Sequence, residues 1–167
     1  GGQLGGEELV RLTKDGDTVA IIGYPTASSC LDRENGALET LKKSDRKVLS
    51  GYDYKGDANE AQKIMENILT TNPEVKAVFC VGDPAATGAL ASIKAAGSEC
   101  LIVGFDGNPE AKEAILDAEN GKYWVSEISQ NPKLIGSTIV DEMIKYMTEG
   151  KVTKPEIFID PYIITAE

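Results

Sequence analysis

The sequence predicts a doubly wound α/β fold with a mostly parallel sheet, and three observations carry that prediction. Short apolar runs rich in β-branched residues, at residues 18–22 (TVAII), 78–81 (VFCV) and 101–103 (LIV), alternate with segments whose apolar positions recur at helical spacing. The runs are nearly continuous rather than alternating, as strands covered on both faces require. Two of them lead into Gly and Asp, at VGD (81–83) and GFDG (104–107), so Asp83 and Asp106 are expected side by side at the carboxyl edge of the sheet, where open α/β folds bind ligands.

In chain order, Leu4, Leu9 and Leu12 mark a short amphipathic helix, weakened by Gly5 and Gly6 and closed by Gly16. The strand at 18–22 ends at Gly23, and residues 24–29 (YPTASS) form the loop beyond its carboxyl end. A helix carrying Asn35, Leu38 and Leu41 follows, then a short strand at Val48 and Leu49 and a polar loop, SGYDYKGD (50–57). Asp57 and Glu60 make a D-x-x-E capping pair ahead of Ala61, Ile64, Met65, Ile68 and Leu69, which hold one helical face until Asn72-Pro73. After the strand at 78–81, Asp83 serves as N-cap and Pro84 as first helical residue. Ala86, Ala89, Leu90 and Ile93 form that helix's stripe, and Gly97 supplies its left-handed end. A right-handed crossover thus joins 78–81 to the parallel strand 101–103.

Asn108-Pro109 repeats the cap-and-proline device, and Ala111, Ala114, Ile115 and Ala118 give a helix up to Gly121. A strand at 123–128 precedes a long helix opened by Pro132, bearing Ile135, Ile139, Val140, Met143, Ile144 and Met147 and stopped at Gly150. Residues 157–159 and 162–164 are extended and broken by Pro161, which suits an edge strand or a kinked pair.

Composition narrows the function. With 167 residues, 41% of them hydrophobic, the chain makes one domain with a sizeable core. A net charge of −10 without a Lys/Arg cluster repels phosphate, so neither nucleic acid nor an anionic membrane surface is an expected partner. There are 0 histidines, which removes Ser-His-Asp and Cys-His chemistry and the commonest metal ligand together. Cys30, Cys80 and Cys100 lack C-x-x-C spacing, so no zinc site, other metal, cofactor or disulfide framework is expected. Cys80 reads as a small apolar residue in a strand, and Cys30, near a helix start, as the candidate reactive thiol. No apolar run approaches the roughly 20 residues of a membrane span, and no basic-then-apolar leader is present. The opening GGQLGGEEL reads as the interior of a longer chain.

Loops 24–29, 52–56, 82–83 and 106–108 all follow strands, Ser129-Gln130 makes a fifth, and the five are expected to converge on one rim. That rim, with AIIGYPTASSCLDRENGAL, EAQKIMENILTTNPEVKAVFCVGDPAATGALASIKAAG, LIVGFDGNPEAKEAI and ISQNPKLIGSTIVDEMIKYMTEG around it, resembles the second, C-terminal lobe of a type I periplasmic sugar-binding protein of the ribose- and galactose-binding kind. The lobe is flavodoxin-like, it is also similar to the effector domain of lactose-repressor-like regulators, and the resemblance covers nearly the whole chain. It implies that Asp106 accepts hydrogen bonds from sugar hydroxyls and that Gln130 contacts the sugar. An ionised carboxylate holds two hydroxyls through charge-assisted bonds, and an amide both donates and accepts. Asp106 also reads plainly as a turn residue, and Asp83 as a helix cap as well as a ligand contact.

The chain departs from the ribose-type pattern at three positions. Leu31 stands where such proteins have Arg, Gly82 where they have Asn, and an aromatic near Gly56 is missing. Arg33 reads as a structural partner on its helix, long enough to reach the cleft. Tyr24, Tyr52 and Tyr54 are candidates for the ring on which a sugar face stacks, or for packing.

The resemblance further implies a second wall from a first lobe that precedes Gly1, and a helix at 131–150 that packs on it. Without that lobe the helix must fold onto the sheet, form a homodimer or stay exposed as an apolar patch, and the first two are the favoured expectations. The leading expectation is a non-catalytic, weakly binding lobe of an extracytoplasmic protein serving a membrane transporter or sensor. Two alternatives stand beside it: the effector lobe of a cytoplasmic regulator, and a flavodoxin-like carrier whose Thr26, Ser28 and Ser29 cradle a phosphate.

Overall fold

Residues 1–166 are described by the computed structural model. In chain order the elements are α1 (Gly2–Leu12), β1 (Thr18–Gly23), α2 (Ser28–Leu41), β2 (Lys47–Asp53), α3 (Ala58–Thr71), β3 (Ala77–Cys80), α4 (Asp83–Ala96), β4 (Leu101–Asp106), α5 (Pro109–Leu116), β5 (Trp124–Ser129), α6 (Pro132–Glu149) and β6 (Tyr162–Ile164). They form a 6-stranded sheet of order β2-β1-β3-β4-β5-β6. Pairing is parallel except between β5 and β6. The chain reverses its winding direction after β2, so right-handed crossovers put α2 beside α1 on one face and α3, α4 and α5 on the other. The resulting switch point lies between β1 and β3.

The central strands are apolar because both faces are covered, and every residue of β1 and β3 is buried. Glycine in α1 costs helix propensity but allows close approach: a Cβ on Gly5 would lie 2.6 Å from the Phe79 ring of β3. Asp57 caps α3 as expected, its Oδ1 accepting from Asn59 N at 2.7 Å and Glu60 N at 3.1 Å. Glu60 does not complete the reciprocal box and pairs with Lys63 instead.

Several expectations are corrected. β2 is longer than Val48 and Leu49, running into the stretch read as loop. As an edge strand it shows no apolar run, and it carries an irregularity at Gly51, whose φ is +86°. The N-cap of α4 is Gly82, and Asp83 is its first helical residue. α5 stops at Leu116, well before Gly121, because Asp117 turns extended and its carboxylate takes the N–H groups of Glu119 and Asn120 to start a short 3-10 turn. Residues 157–159 form no strand, and only Tyr162–Ile164 pairs, beyond Pro161. α6 does not fold onto the sheet. None of its residues is buried, and Ile139, Val140, Met143, Ile144 and Met147 are all exposed.

Candidate functional site

The carboxyl ends of β1 to β5 meet as anticipated, and Asp106 is their hub. Asp106 of β4 is the register partner of Ser129 of β5, so Gln130 emerges beside it. Gln130 Nε2 donates to Asp106 Oδ1 at 2.7 Å. From α2, Arg33 Nη1 donates to the same oxygen at 3.0 Å and to the Val81 carbonyl at 2.6 Å, with its guanidinium carbon 3.9 Å from the Phe105 ring centroid. Side-chain exposures of 12% for Arg33 and 27% for Asp106 make this a partly desolvated pair, less screened by water than a surface contact.

Asp106 Oδ2 turns toward Gly82, lying 3.4 Å from where a Cβ on that glycine would sit, and Tyr54 Oη is 2.9 Å from the same point. Glycine at 82 therefore leaves room for the Tyr54 hydroxyl beside the carboxylate. Tyr54 is buried, and desolvation, with smaller contributions from Cys30 and Asp106, pushes its phenol further up, so it stays neutral and can donate or accept. Tyr24 packs edge-on against it, ring centroids 5.5 Å apart.

Arg33 and Gln130 thus meet on Asp106, and Tyr24 packs on Tyr54, whose hydroxyl lies beside Gly82. Asp83 does not face the open side. It is 6% exposed, and its Oδ2 accepts from the Asn108 N–H at 3.0 Å rather than from an amide of its own helix. Burial pushes its carboxyl up. Cys30 is buried in the first turn of α2, and Tyr52 is only partly covered on β2. Sequence reading passed over Glu127, which lies fully buried in β5 beneath the rim. The available signal was an acid inside an otherwise buried strand, WVSEIS, opposite a glycine.

Residues 1–151 match the family described as the periplasmic binding protein domain. The chain belongs to that family. This periplasmic binding protein domain is 30% identical over 154 residues to the ribose import binding protein RbsB of Escherichia coli (strain K12), covering 91% of this chain and 51% of that protein. It is 34% identical over 146 residues to the D-allose-binding periplasmic protein of the same strain, covering 85% and 46% respectively. Among solved structures, an ABC transporter periplasmic solute binding protein from Actinobacillus succinogenes 130z with bound D-allose superposes with a TM-score of 0.88 at 26% identity, covering 99% of this chain and 57% of that one. The Caulobacter myo-inositol binding protein bound to myo-inositol superposes with a TM-score of 0.85 at 26% identity, covering 99% and 57%. The domain spans about half the length of the curated relatives it matches.

Away from the rim, the domain carries a groove of about 730 Å³ between α6 and the segment that follows, lined by Ile139, Met143, Met147, Val152, Ile157 and Phe158. No rim residue contributes to it.

Proposed function

We propose that this domain is one lobe of a sugar-binding protein that works outside the cytoplasm and hands its ligand to an ABC-type membrane importer. The observation that carries the reading is Asp106, a partly exposed carboxylate that has one oxygen held by Arg33 and Gln130 and the other left beside Gly82 and the Tyr54 hydroxyl. A carboxylate fixed in this way is a ready acceptor for sugar hydroxyls. Gln130 and Arg33 add donors, and the Tyr24–Tyr54 pair offers a ring edge and a neutral hydroxyl. Each group binds or orients, so the function is recognition rather than catalysis.

The domain supplies one wall of the pocket, and a second lobe of a longer parent supplies the other. Support comes from the half-length coverage of the relatives and from the exposed apolar face of α6, which packs on that lobe in the parent and pairs with a second copy when the chain is alone. One wall leaves the ligand wet, and water competes for each hydrogen bond, so this chain alone binds weakly.

Titration of the chain with D-ribose and D-allose, followed by calorimetry and by NMR, tests the reading. Small heats and shifts confined to Arg33, Asp106 and Gln130 are expected. Shifts that leave these residues unmoved would overturn the site, and micromolar binding by this chain alone would remove the need for a second wall.

A further inference from the structure

We propose that Glu127 and Asp83 are the positioning residues for Asp106, sharing one proton and each holding one of the two backbone N–H groups that follow it. The inference rests on the reading of Asp106 as the ligand contact, whereas its geometry stands independently. Gly107 N donates to Glu127 Oε1 at 3.0 Å, and Asn108 N donates to Asp83 Oδ2 at 3.0 Å. These bonds grip the chain where it most needs gripping. Asp106 has a φ of +122°, which side-chain-bearing residues rarely adopt, and Gly107 follows at +78°. A turn in that conformation aims the Asp106 carboxylate at Arg33 and Gln130 only while its following amides are anchored.

The proton follows from what surrounds the two acids. Glu127 Oε2 accepts from Trp124 Nε1 at 3.0 Å, so both Glu127 oxygens already receive N–H bonds. Asp83 Oδ1 is sealed from solvent, and among the described residues no N–H or hydroxyl reaches it. The Glu127 carboxyl, brought beside Asp83 by the adjacent Gly107 and Asn108 amides that the two acids hold, is the proton source that remains. Two ionised carboxylates packed together would repel at close range in a poorly polarisable medium. The proton sits on Glu127 because Asp83, in the first turn of α4, has the positive end of a helix dipole to favour its charge, whereas Glu127 lies inside a strand. Burial and the Asp83 charge push the Glu127 carboxyl up to about 10.

Other facing groups leave this assignment intact. Cys80 of β3 is a buried neutral thiol, α5 buries only Ala111 and Ile115, and Asp106 adds further negative charge near Asp83. Glu8 and Arg11 of α1 pair with each other beside Ser126. Gly104 makes the room: a Cβ there would meet Trp124 Nε1 at 2.8 Å and Glu127 Oε2 closer still.

The test uses the whole chain without sugar, so it can fail independently of the ligand assignment. Infrared spectroscopy of the wild type at neutral pH is expected to show a protonated-carboxyl C=O band that Glu127→Gln removes. A missing wild-type band, or one that persists in E127Q, overturns the shared proton. Carbon-detected NMR on glutamate-labelled wild type is expected to show the Glu127 carboxyl titrating well above the ordinary carboxylate range. A midpoint in the ordinary carboxylate range overturns the proposal, and this measurement needs no variant to fold. E127Q, whose amide oxygen can still accept from Gly107 N while its NH2 donates to Asp83 and gives up the bond from Trp124 Nε1, is expected to leave the Gly107 and Asn108 amide shifts close to wild type, while Glu127→Leu moves both. Unmoved amides in a folded E127L overturn the positioning role.

Discussion

Arg33 and Asp106 meet across the rim at 3.0 Å although they lie 73 residues apart in the chain. One guanidinium nitrogen bridges the Asp106 carboxylate and the Val81 carbonyl, tying α2 to the ends of β3 and β4. With Gln130 on the same carboxylate oxygen, the hub of the rim is held from two sides before any ligand arrives. That fixed geometry reduces the ordering a ligand would otherwise have to impose.

Asp106→Ala is expected to abolish the sugar-induced shifts and also to destabilise the chain, because it leaves a largely covered guanidinium without its carboxylate. The loss is about 1–3 kcal/mol, the range for stranding a buried polar partner. Urea denaturation measures it. Unchanged stability would show that the Arg33 pair contributes nothing to the fold.

Glu127 makes stability fall as pH rises. Its ordinary value is 4.5 and its folded value about 10, so between these limits the folded chain keeps a proton that the unfolded chain releases. The contribution is fully present below the lower limit and is lost as pH climbs through the upper one, with a slope of about 1.4 kcal/mol per pH unit at most. E127Q is expected to flatten the stability profile across this window, as measured by denaturant melts at several pH values. A variant whose profile stays parallel to wild type would contradict the assignment.

Gly104→Ala places a methyl group against Trp124 Nε1 and the Glu127 carboxyl. Overpacking of this kind costs about 1–3 kcal/mol, and here it also displaces the acid that holds the Gly107 amide. Thermal melting together with the Gly107 amide shift checks both effects. A variant as stable as wild type would mean that the strand yields easily at this point.

Replacing Ile139 and Met143 with Asp removes the centre of the exposed face of α6. Because no α6 residue is buried, stability is expected to change by less than about 0.5 kcal/mol, as for surface substitutions generally. Self-association, read by sedimentation velocity over a concentration series, is expected to disappear. A wild type that sediments as a monomer throughout would rule out pairing through this face.

The sequence by itself determined the alternation of strands and helices, since buried parallel strands need continuous apolar runs and helices need a periodic stripe. It also placed Asp106 and Gln130 at strand tips, because a Gly-flanked acid after LIVGF and an amide before Asn-Pro can only follow strands that end there. Elements lacking that periodicity were read less well: β2, whose edge position needs no apolar run, and the end of α5, where the Asp117 carboxylate diverts the chain. Tertiary structure alone decided which side chains meet. The reach of Arg33 to Asp106, the turning of Asp83 away from its own helix and the burial of Glu127 all depend on residues distant in sequence, with Gly104 and Trp124 shaping the space around Glu127. Local propensity encodes backbone conformation, but charge state and contact are set by desolvation and neighbours, and those exist only once the sheet has assembled.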